Sequence, residues 1–88
     1  MKTAFMLLAR YDGMPVIPLD RVCADYFTRL TPQKLATKID GGEVKMPLVR
    51  IEASQRAARG VHINDLAAWI DGRREAAARE LQQMTGGA

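Results

Sequence analysis

The sequence is poor in the residues on which most active-site chemistry depends: among 88 residues there is one cysteine, one histidine and one tryptophan, and aromatics make up 6%. Cys23 alone forms no internal disulfide, so nothing points to an oxidising compartment. Cys23 and His62 together fall short of a structural zinc's ligand set. There is no glycine-rich phosphate loop, no nucleophile motif and no carboxylate pair with an obvious cleft, so the expectation is a protein that is not an enzyme and needs no cofactor. No apolar run approaches the roughly 20 residues that cross a bilayer. The apolar start ends early, at Arg10, without a small-x-small cleavage site, which predicts a cytoplasmic protein rather than an exported one.

What is present fits a folded domain. A hydrophobic fraction of 48% and a charged fraction of 26% are those of an ordinary globular chain. The length predicts one domain over residues 1–84, with 85–88 as a loose tail. The net charge of +3 is weak evidence about partners, and its placement matters more. Lys34, Lys38, Lys45, Arg50, Arg56 and Arg59 fall in the middle of the chain, where Asp40, Glu43 and Glu52 are the only acids between Thr31 and Gly60. That stretch is the candidate electropositive face.

Periodicity leaves the apolar start undecided between helix and strand, but Thr3 as a cap and Gly13 as a stop favour a short helix. Pro15 and Pro18 then bracket extended chain. A helix starts at Pro18, carries Leu19, Val22, Cys23, Tyr26 and Phe27 on one face, and ends near residues 27–29. A second helix opens with Thr31 as cap and Pro32 in its first turn, buries Leu35, Ala36 and Ile39, and closes at Gly41-Gly42. Two short helices joined by a tight turn predict a helix-turn-helix. Branched residues on either side of a polar loop predict a β-hairpin, residues 48–52 pairing with 59–63, which would form a wing. Asn64 or its neighbour should cap a long C-terminal helix whose Leu66, Trp69, Ile70, Ala77, Leu81 and Met84 recur at near-helical spacing, suited to packing or dimerisation. The expected fold class is therefore α+β, mainly helical: a winged helix-turn-helix with a small hairpin wing and a long C-terminal helix.

On that fold the second helix is the natural reader of double-stranded DNA. Thr31, Gln33, Lys34, Thr37 and Lys38 lie off its apolar stripe, where side chains of a helix in the major groove reach base edges or phosphates. Lys45 and Arg50 extend the cationic stretch, and the wing adds Gln55, Arg56 and Arg59, with Arg56 as the tip contact. Competing readings are plainer. The lysines could be solvated helix positions, and Arg59 could pair across the strands with Glu52. His62 has no metal-spaced partners and reads as a strand-end or capping residue, while Cys23, Trp69, Tyr11 and Tyr26 read as core.

The segments Thr3-Ala4-Phe5-Met6-Leu7-Leu8-Ala9-Arg10-Tyr11-Asp12-Gly13, Val16-Ile17-Pro18-Leu19-Asp20-Arg21-Val22, Leu30-Thr31-Pro32-Gln33-Lys34-Leu35, Pro47-Leu48-Val49-Arg50, Ala58-Arg59-Gly60-Val61-His62 and Asp65-Leu66-Ala67-Ala68-Trp69-Ile70-Asp71 resemble, in order and spacing, the pyocin activator (PrtN) family. The resemblance covers nearly the whole chain up to Arg79 and implies a bacterial, phage-related regulator that binds short promoter elements and activates bacteriocin or prophage genes. The order of elements is also similar to MerR and excisionase-like winged domains. It implies no residue-level assignment, so the DNA-contact residues rest on charge and spacing alone. The expected mechanism is a homodimer that sets its second helix in successive major grooves and recruits RNA polymerase, because one small domain offers limited contact for tight binding. An excisionase-like DNA bender, or an adaptor that binds a protein through its last helix, are the alternatives.

Overall fold

The computed structural model describes residues 2–52 and 58–85. Its elements run α1 (Thr3–Arg10), β1 (Val16–Pro18), α2 (Leu19–Tyr26), α3 (Pro32–Asp40), β2 (Val49–Arg50), β3 (Arg59–His62) and α4 (Ile63–Thr85). The fold is α+β and mainly helical, with one small antiparallel sheet in the order β1-β3-β2.

The expected hairpin is there in shortened form: Val49 pairs with Gly60 and Arg50 with Arg59. The proline-bracketed segment does more than extend. It adds a third strand, with Val16, Ile17 and Pro18 opposite His62, Val61 and Gly60. Proline is tolerated there because β1 is an edge strand. Gly60, between both neighbours, is required: a Cβ would sit 2.6 Å from the Ile17 carbonyl oxygen and 2.8 Å from Val16 Cγ1.

α1 forms as expected, but Thr3 does not cap it. Lys2 is the N-cap residue, without a side-chain bond, and the Thr3 hydroxyl instead donates to Asp71 of α4 at 2.6 Å. Beyond α1, Asp12 and Gly13 both take positive φ, 54° and 76°, turning the chain toward β1. α2 ends at Tyr26, just short of the expected 27–29, and the turn into α3 is held by Cys23, whose thiol donates to the Leu30 carbonyl at 3.1 Å. α4 begins at Ile63, and the cap belongs to His62 rather than Asn64: His62 Nδ1 accepts from the Asn64 backbone N–H at 3.0 Å. α4 runs one residue past the expected end, to Thr85, and the rest of the tail lies outside the described residues.

The core lies where α1, the sheet and the first turns of α4 meet. Leu7, Tyr11, Ile17, Val22, Met46, Val61, Ile63, Leu66 and Ala67 form one buried cluster. Phe27 packs against Trp69 with ring centres 4.9 Å apart and planes tilted by 43°, so the end of α2 is fastened to α4. Tyr11, fully buried, donates from its hydroxyl to Asp25 at 2.6 Å, while Arg10 lies 3.3 Å from the same carboxylate and Arg21 caps the ring at 4.8 Å. This network binds α1 to α2 and satisfies the phenol's polar end. Burial first, and the bond to Asp25 second, push the Tyr11 pKa above its ordinary value. The Tyr11 hydroxyl and, after it, the Arg10 guanidinium hold the Asp25 carboxyl below the usual carboxylate range, against desolvation acting the other way. Among the described residues no helix is long and apolar enough to cross a membrane.

Candidate nucleic-acid interface

α3 owes its position to its own ends and one buried face. The Thr31 hydroxyl accepts the Lys34 N–H at 3.2 Å, and Pro32 follows at the first helical position. Leu35 and Ala36 are buried. Gly42, at φ 82°, reverses the chain, and the Glu43 N–H then bonds back to the Lys38 carbonyl at 2.9 Å. These contacts hold α3 against the body along its apolar stripe and leave the opposite side open.

On that open side Gln33, Lys34, Thr37, Lys38 and Glu43 line a shallow groove of about 370 Å³. Four of the sequence-predicted residues thus share one surface. Their freedom differs. Gln33 and Lys34 are exposed. The Thr37 hydroxyl is turned back onto the Gln33 carbonyl at 3.0 Å, so its donor is used within the helix. Lys38 Nζ lies 2.9 Å from Glu43 Oε2. Thr31 is exposed but serves as the cap, which accounts for its oxygen without a ligand.

The remaining predicted residues divide. Arg59, on β3, reaches across to Asp40 at the end of α3, with one guanidinium nitrogen 3.2 Å and 3.4 Å from the two carboxylate oxygens. The competing reading, a cross-strand pair of Arg59 with Glu52, gives way to this contact, and the residue opposite Arg59 in the sheet is Arg50. Two like charges at neighbouring strand positions repel, which favours Arg59 leaning toward Asp40. Lys45 and Arg50 are exposed near the same elements. Gln55 and Arg56, the expected wing tip, lie outside the described residues.

Charge counts alone do not identify Asp40 and Glu43 as parts of this surface. The usable signal is the Gly41-Gly42 pair, since a left-handed turn after a helix folds the next side chain back over its last turn. A larger groove of about 640 Å³ lies between α1 and α4, but Lys2 and Arg74 share it with Asp71 and Glu75. Its mixed charge makes it a poor seat for a polyanion.

These features describe a small α+β protein with one capped helix presenting a polar, partly cationic face. The sequence pattern of the family described as pyocin activator protein PrtN matches residues 3–77, and the chain belongs to that family. No curated protein and no solved structure matches it. The matched span takes in every described element except the outer part of α4.

Proposed function

We propose that this chain is a sequence-specific, DNA-binding transcription activator of pyocin-type or prophage genes. In this reading α2, the turn and α3 act as a helix-turn-helix, and the β2–β3 hairpin acts as its wing. α3 enters the major groove, with Gln33 and Lys34 toward base edges and Lys38 toward a base or a phosphate. Lys45, Arg50 and Arg59 flank it, and the wing residues Gln55 and Arg56 extend the contact to the backbone or minor groove. The working unit is a cytoplasmic homodimer bound to short promoter elements, from which it engages RNA polymerase.

The observation that carries the reading is the division of labour on α3. Its cap, its proline and its buried Leu35 and Ala36 are spent on placement, while Gln33, Lys34 and Lys38 gather on one groove-lining face. Membership of a family named for pyocin activation supports the regulatory role. The test is a gel shift with promoter DNA from the neighbouring genes, run across a salt series. Lys34→Ala and Lys38→Ala should each weaken the complex and flatten the salt dependence by about one counterion if the side chain meets a phosphate. Affinity and slope unchanged in both variants would remove α3 from the interface.

A second reading rests on a different observation. Leu81 and Met84 are 62% and 83% exposed on the outer part of α4, a surface suited to a protein partner. An adaptor using that surface would give no complex with promoter DNA even at low salt.

A further inference from the structure

Two cations at the C-terminal end of α3 are already engaged by carboxylates. Lys38 is held by Glu43 and Arg59 by Asp40, and among the described residues Asp40 and Glu43 pair with no other cation. Neither acid is placed where it helps the helix. Asp40 is the last residue of α3 and Glu43 follows just beyond it, both at the negative end of the helix dipole, where an anion is unfavourable. Both pairs reach solvent: the Lys38 and Glu43 side chains retain 42% and 67% of their accessible surface, and Asp40 retains 59% beside a half-buried Arg59. Such pairs contribute little to folding. Their effect falls instead on whatever approaches the α3 face.

We propose that Asp40 and Glu43 suppress binding of the α3 face to DNA of arbitrary sequence, by occupying Lys38 and Arg59 and by repelling phosphate oxygens. The inference rests on the DNA-binding reading above and specifies how that surface discriminates. Phosphates offer only acceptors, so a carboxylate beside them is repelled, and each bound cation must first leave its partner. Base edges in the major groove also carry amino donors, notably on cytosine, which a groove-lining Glu43 can accept from. A duplex of the right sequence therefore offsets what a random duplex cannot.

The experiment uses the full chain and a mixed-sequence duplex of about three helical turns, with fluorescence anisotropy followed over a range of salt. Asp40→Asn and Glu43→Gln should each tighten binding by about threefold at moderate salt, as expected for removing one charge about 6 Å from a phosphate. Each should also steepen the salt dependence by about one counterion as the released cation finds a phosphate. Glu75→Gln on α4 makes the same change in net charge away from α3 and should leave binding unchanged. Melting temperatures of the two α3 variants should stay within about 4 °C of the parent, which separates charge from unfolding.

Tightening by Glu75→Gln equal to that of the other two would overturn the proposal, since bulk charge would then be the cause. Unchanged or weaker binding by both Asp40→Asn and Glu43→Gln, with the parent binding normally, would overturn it while leaving the DNA-binding reading intact. No complex with the parent or any variant at low salt would overturn both. A parent that fails to bind while the α3 variants do bind would support the screen directly.

Discussion

Two polar clusters in this molecule use the same chemistry in opposite settings. Around Tyr11, a phenol, a carboxylate and two guanidinium groups are gathered at the junction of α1 and α2, with the aromatic ring fully buried. At the end of α3, two ion pairs of similar length lie open to solvent. Partners in the first cluster hold elements together, because a buried hydroxyl without an acceptor is costly. Partners in the second exchange readily with water and salt, so they are suited to governing what binds. The difference lies in the buried phenol at the centre of the first cluster, since the guanidinium of Arg10 reaches solvent as the α3 pairs do.

The sharpest way to break the comparison is in the core beneath the first cluster. Leu66→Ala, at a fully buried position, should cost about 2–5 kcal/mol in denaturant unfolding, and a loss near zero would mean the core is assigned to the wrong residues. Tyr11→Phe should cost less, about 1–3 kcal/mol, by removing the donor to Asp25. The pH dependence sharpens this second point. Because the folded state lowers the Asp25 pKa, its contribution is present above an unfolded value of about 4 and is lost as pH falls through the lower folded value. The melting-temperature gap between the parent and Asp25→Asn should therefore narrow from about pH 6 to about pH 3. A gap that widened on acidification would contradict the role given to Tyr11 and Arg10. The smallest effect belongs to the outer part of α4, where Leu81→Gln should change stability by less than about 0.5 kcal/mol, read from the same unfolding curves.

Sequence patterns were legible where their causes are local. α3 could be bounded from Thr31, Pro32 and Gly41-Gly42 because each acts within a turn of its own position. His62 could be recognised as a capping residue for the same reason. The third strand was not legible, since residues 16–18 become β-structure only by meeting residues 60–62 from the far side of the chain. Tyr11 reads as core from its apolar neighbours, whereas its bond to Asp25 depends on how two helices cross. The partner of Arg59 illustrates the same limit: strand pairing suggests Glu52, yet the acid supplied by the end of α3 is Asp40. At the candidate interface, composition locates the cations but not which of them are already matched by an acid.

The seating of β1 beside β3 also sets how far along the chain the fold must wait to be completed. Its first strand has no partner before the residues from Gly60 to His62, and the Leu66 that covers the core comes later still. Leu7, Ile17 and Val22 therefore reach their full packing only through partners distant in sequence, so the core closes by long-range contacts rather than by local ones.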